Sequence, residues 1–162
     1  MIESYLLPCL WAVLSSIAFC GILNVNDIKI MLIAAFGGGL GWLAYLLAAP
    51  LNSVVAQNLV AAVTVALFSE FMSRICKAPS TVFLVVGILP MVPGGGIYYT
   101  MEYGVQGNTE MFIEKGIETF AIAGAIAIGV SLASAIFRFY SYNKTQRLKR
   151  LNRVKEDDRD NY

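Results

Sequence analysis

The sequence predicts an all-α integral membrane protein of about five transmembrane helices, the fourth of them broken, with N-out, C-in orientation. Three observations carry this. Of 162 residues, 57% are hydrophobic and only 14% charged, with a mean hydropathy of +0.65. A soluble domain carries roughly 25% charge. The apolar residues fall into membrane-length runs, and nearly all the basic residues fall between alternate runs. Finally, the run from Ala78 to Met101 holds Pro90, Pro93 and Gly94-Gly95-Gly96 in its middle, which no continuous helix tolerates.

About 20 residues at 1.5 Å each cross a hydrocarbon core of about 30 Å. On that measure residues 1–140 form a transmembrane helical domain with spans at about 5–23, 30–49, 54–72, 81–101 and 119–140. Short connections are expected at Asn24–Lys29, Pro50–Ser53 and Ser73–Ser80, and a longer one from Glu102 to Glu118. Residues 141–162 form a charged cytoplasmic tail. The first run is a retained span rather than a signal peptide, because no Lys or Arg precedes Lys29. Cys9, Cys20 and Cys76 read as packing residues. On one helix Cys9 and Cys20 lie about 16 Å apart, beyond disulfide reach.

Orientation follows from the positive-inside rule. The tail carries Lys144, Arg147, Lys149, Arg150, Arg153, Lys155 and Arg159, and counting back puts Arg74, Lys77 and Lys29 on the same side. The Glu102–Glu118 loop, with four glutamates and only Lys115, falls outside. Lys144 to Lys155 also interleaves Leu148, Leu151 and Val154 with six basic residues. That pattern suits a short amphipathic helix on anionic membrane lipid, or equally a disordered orienting tail. The run is short and ends in acids, so no nucleic-acid partner is expected.

Small residues mark the packed faces. Gly37 and Gly41 have the spacing that lets helix backbones approach closely. Ala123, Ala127, Ser131 and Ala135 form a small-residue stripe on the last span, with Ala121, Ala125, Gly129 and Ala133 beside it. Ala127 and Ser131 are therefore expected in helix packing, within one bundle or in a homo-oligomer. Asn58, Ala62, Ala66 and Glu70 form a small and polar stripe on the third span.

The broken fourth span is the candidate site. Broken helices at membrane depth survive only where protein or a water-filled cavity surrounds them, and transporters use them to hold substrate. A helix restarting near Gly96 offers free N–H groups and a partial positive charge, and glycines let a carboxylate approach them. The alternative is a proline kink closed by neighbouring helices, with no ligand. Glu70 is the acidic residue inside a span and so a candidate for proton coupling, although Arg74 at i+4 offers it a plain ion pair. Glu110, Glu114 and Glu118 share one face of a helical extension, capped by Asn108 or Thr109. There is no histidine and no metal-ligand pattern, so no catalytic residue, metal or cofactor is expected.

The run Pro79-Ser80-Thr81 through Gly87-Ile88-Leu89-Pro90-Met91-Val92-Pro93-Gly94-Gly95-Gly96-Ile97-Tyr98 resembles the signature of the threonine/serine exporter family. The chain is similar to the small subunit of the split, two-chain exporters. FCGILNVNDIKIML and GGGLGWLAYLL add a weaker likeness. Two features depart from the family pattern: Met91 in place of a leucine, and a longer charged tail. The resemblance implies a secondary transporter of the cell (inner or plasma) membrane that exports threonine, serine or a dicarboxylate such as succinate. It also implies a larger membrane subunit as partner. Pro90, Pro93, Gly94, Gly95, Gly96 and Tyr98 would then contact the small carboxylate substrate. A non-transporting scaffold subunit and a channel are the competing readings.

Overall fold

The computed structural model describes the backbone of residues 2–160 and the side chains of residues 6–139. Within that range every element is helical. They are α1 (Ile2–Ile22), α2 (Ile28–Leu47), α3 (Val54–Cys76), α4 (Ser80–Ile88), α5 (Gly94–Val105) and α6 (Thr109–Asp160), with 3-10 turns at Ala49–Leu51 and Leu89–Met91.

Local chemistry sets the ends. Asp27 accepts from the Lys29 N–H at 2.8 Å and starts α2, and Ser53 accepts from the Ala56 N–H to start α3. These are ordinary side-chain caps for the orphan donors of a first turn. Lys77, in the left-handed region, closes α3 while Ser73 donates its hydroxyl to the Ala78 carbonyl at 2.6 Å. Asn108 accepts from the Met111 N–H at 3.2 Å and caps α6, behind Gly107 at φ +75°.

That last turn corrects one expectation. The connection expected over Glu102–Glu118 is only the stretch from Gln106 to Asn108, because α5 runs on to Val105 and α6 begins at Thr109. Charge lowers hydropathy without breaking a helix, and Glu and Lys are good helix formers. The backbone of α6 continues to Asp160, while the proposed lipid-facing side chains from Lys144 to Lys155 lie outside the described residues. Length and composition mark α2, α3 and Thr109–Phe139 as membrane spans. The α4–α5 pair, bent by 47°, makes a fourth if counted as one span. The fifth expected span is α1, whose described part, Leu6–Ile22, is apolar but shorter than the others.

α2 is the axis of the bundle, packed by α1, α3 and α4. Its glycines allow this by facing different neighbours. A Cβ on Gly37 would lie 2.7 Å from the Phe68 ring of α3, and one on Gly39 would lie 2.6 Å from Val13 of α1. A Cβ on Gly38 would collide with the Ser16 hydroxyl, and one on Gly41 with Val65. The closest crossing is with α4: a Cβ on Gly87 would stand 3.6 Å from the backbone of Gly37 and Gly38 and only 2.7 Å from Val65. Gly37 and Gly41 are thus engaged within the chain. In a bilayer, where lipid is as apolar as leucine, such close packing is the main source of helix association.

Two clusters fill the interior. Cys20, Ala34, Phe83 and Val86 join α1, α2 and α4. Ala61, Ala62, Val65, Met91 and Ile126 join α3 and α6 to the break. α6 meets α3 through Ala125, Gly129 and Ala133, all buried, and a Cβ on Gly129 would lie 3.0 Å from the Leu59 carbonyl. Within this chain Ala127 and Ser131 lie on the exposed face of α6, not in its seam with α3. Two small-residue stripes offset by two positions lie about 200° apart on a helix, and α3 takes the one with the glycine.

Candidate functional site

The break between α4 and α5 is built from its two prolines. Pro90 has no N–H to give the Val86 carbonyl, and the Ser16 hydroxyl of α1 donates to that carbonyl instead, at 3.4 Å. Ser16 is fully buried. After the 3-10 turn Leu89–Met91, Val92 is extended (φ −58°, ψ 128°), as steric contact with a following proline favours. Pro93 then makes a three-residue turn, with the Gly94 N–H on the Val92 carbonyl at 2.7 Å. The chain restarts as α5, and the Ile97 N–H reaches back to the Pro93 carbonyl. Gly95 and Gly96 donate to no acceptor among the described residues.

α5 leans on α6. Gly96 meets Thr119, Gly104 meets Phe112, and Gly116 meets Thr100. α5 buries no residue fully. A cleft of about 550 Å³ opens where this pair leaves the bundle. Its floor is the break itself, Pro90 to Pro93, with Gly95 and Gly96. Trp42 and Tyr45 of α2 and Asn58 of α3 form one wall; Tyr99, Tyr103, Lys115, Glu118, Thr119 and Ile122 form the other.

The polar groups have a definite arrangement. Lys115 Nζ donates to Glu118 Oε2 at 2.7 Å, both side chains partly exposed at the mouth. Asn58, buried, spends its side-chain N–H on the Val54 carbonyl at 2.8 Å, which leaves its carbonyl oxygen as the cleft-side acceptor. Thr119 donates to the Lys115 carbonyl at 2.7 Å. Two free backbone donors, an ammonium, a carboxylate, an amide and three phenols therefore line one apolar-walled cleft. That set can hold a small molecule bearing both a carboxylate and a donor. Among the described residues no group of three or more Cys, Asp or Glu is placed to hold a metal ion.

Of the residues expected from sequence, Pro90, Pro93, Gly95 and Gly96 come together here. Gly94 stands just outside the lining, with open space where a Cβ would go. Tyr98 is 65% exposed and points away, edge-on to Tyr99 at 5.4 Å. Tyr99 and Tyr103 take the inward positions, one helical turn apart. Glu70 lies elsewhere, 3.9 Å from Arg74, whose guanidinium sits 4.1 Å over the Phe137 ring. Trp42, Tyr45, Asn58 and Lys115 were not expected in the site. Of these, Asn58 alone is marked in the sequence, as part of the small and polar stripe on the third span.

No curated protein and no solved structure gives a significant match. A family model described as threonine/serine exporter matches residues 8–136, from α1 through the apolar part of α6. That stretch contains the whole cleft and well over half of the chain. The chain is thus a multi-pass membrane protein that belongs to the threonine/serine exporter family.

Proposed function

We propose that the cleft at the helix break is the substrate site of an exporter for threonine, serine or a related small carboxylate. One observation carries the reading: Gly95 and Gly96, whose N–H groups have no acceptor among the described residues, line the same cleft as the Lys115–Glu118 pair. Free N–H groups at a helix start bind a carboxylate without needing a dedicated cation. Glu118 and Asn58 offer acceptors for an α-ammonium, which favours an amino acid over a dicarboxylate such as succinate.

On the charge-derived N-out orientation, the cleft opens to the outside of the cell membrane. Among the described residues α5 packs chiefly on α6, which leaves the rest of its surface for further protein to cover. This supports a larger membrane subunit of the same family as partner, with a homo-oligomer as the other way to cover that surface. Efflux of threonine, serine and succinate from preloaded cells tests both points. Cells would express this chain, its larger companion, or both. Saturable threonine efflux with both chains is the expected result. No efflux in any of the three removes the transport reading and favours a scaffold; non-saturating flux favours a channel.

A further inference from the structure

Trp42 has an anomaly that the cleft alone does not explain. Its indole N–H is sealed from solvent and has no hydrogen-bond partner; it is the one such buried side-chain polar atom among the described residues. Indole is donor-only, and a buried tryptophan usually finds an acceptor for it. At membrane depth, unpaired polar groups persist only where protein or a water-filled cavity will receive them.

The ring also occupies a distinctive place. It lines the polar cleft on one side and, on the other, an apolar groove of about 530 Å³ beside Trp11, Ser15 and Phe19 of α1. Pro90 is the other residue common to both cavities. The indole rests on Tyr45 at 5.4 Å with the ring planes 32° apart. Trp42 and Pro90 together are therefore the partition between the two spaces. One half of that partition is a side chain that can rotate, and the other is the helix break.

We infer that Trp42 is the inner gate of the substrate cleft and a substrate-positioning residue. Its indole N–H donates to a substrate carboxylate oxygen when the ring swings out of the partition. The same swing joins the cleft to the groove. A carboxylate accepts about four hydrogen bonds; Gly95, Gly96 and Lys115 supply three donors, and Trp42 supplies the next. This rests on the proposed function, because it assigns a role within that site.

The test uses everted membrane vesicles from cells expressing the full chain with its companion, so that threonine uptake reports export. Trp42→Phe keeps an aromatic partition and removes the N–H. The half-saturating threonine concentration should rise on the order of tenfold, about 1.4 kcal/mol, with the maximal rate within about twofold. A second readout keeps the native side chain. In a Trp11→Phe background Trp42 is the remaining tryptophan of this chain, and threonine should shift its emission saturably in the purified protein. Uptake by the wild type with an unchanged half-saturating concentration in Trp42→Phe overturns the substrate contact assigned to the indole N–H and leaves the transport reading standing. So does an emission that ignores threonine while uptake proceeds. No uptake by the wild type removes both.

Discussion

The Ser16 hydroxyl on α1 takes over the Val86 carbonyl that Pro90 cannot serve. A residue on the first helix thus completes the backbone hydrogen bonding of the fourth, and does so at full burial. In water the orphaned carbonyl would be solvated; in hydrocarbon it would not. Ser16→Ala should therefore destabilise the protein by about 1–3 kcal/mol, the range for leaving a buried polar group unpaired. Ser15 bonds only within its own helix, to the Ala12 carbonyl, so Ser15→Ala should fall within about 0.5 kcal/mol of the parent. Thermal unfolding of both variants in one detergent checks the contrast.

Gly96 and Thr119 fix how closely α5 approaches α6. A Cβ on Gly96 would lie 2.5 Å from Thr119 Oγ1, but 3.4 Å from its Cβ. Gly96→Ala should therefore impair transport by opening the pair, and Thr119→Ala in the same chain should restore much of it. Residues in contact show such coupling, on the order of 0.5–3 kcal/mol in double-mutant cycles. Additive losses would mean that the contact does not set the cleft.

Gly95 gives the complementary case. Open space surrounds the position of its missing Cβ, yet it lines the cleft. Gly95→Leu should insert and fold with near-parental yield while abolishing efflux, because the side chain fills the place where a carboxylate would meet the N–H groups. Size-exclusion profile and efflux, measured side by side, separate the two effects.

Glu70 sits on α3, paired with Arg74 and away from the cleft lining. Its side chain is about a quarter exposed and Arg74's about half, so the pair adds little stability. Glu70→Gln is expected to leave the pH dependence of efflux in place. A flattened pH profile would instead make Glu70 the proton-coupling carboxylate that its isolation in an apolar span suggests.

Much of the site was legible where local chemistry dictates backbone. Two prolines and a glycine run fix the position of the break, and Asn108, one of the two caps expected for the helical extension, starts α6. What was not legible depends on phase and on distance along the chain. Tyr98 and Tyr99 are adjacent, and which one lines the cleft follows from how α5 lies on α6, with Gly96 against Thr119 and Gly104 against Phe112. The two alanine stripes of α6 are equally small, and the choice between them was made by α3. Trp42, Asn58 and Ser16 come to the break from three other helices; the polar stripe marks Asn58 on α3, but nothing within α1 or α2 marks Ser16 or Trp42.

The missing donors of Pro90 and Pro93 have a mechanical consequence. Bending a continuous helix tears i to i−4 bonds that bilayer lipid cannot replace. Between Leu89 and Gly94 the bonds that would resist bending were never formed: one orphan carbonyl is held by α1, and the Val92 carbonyl already serves Gly94. The joint therefore lacks part of the hydrogen-bond ladder that stiffens a continuous helix. What holds its angle is packing: Met91 in one buried cluster with Ala61, Val65 and Ile126, and α5 laid along α6.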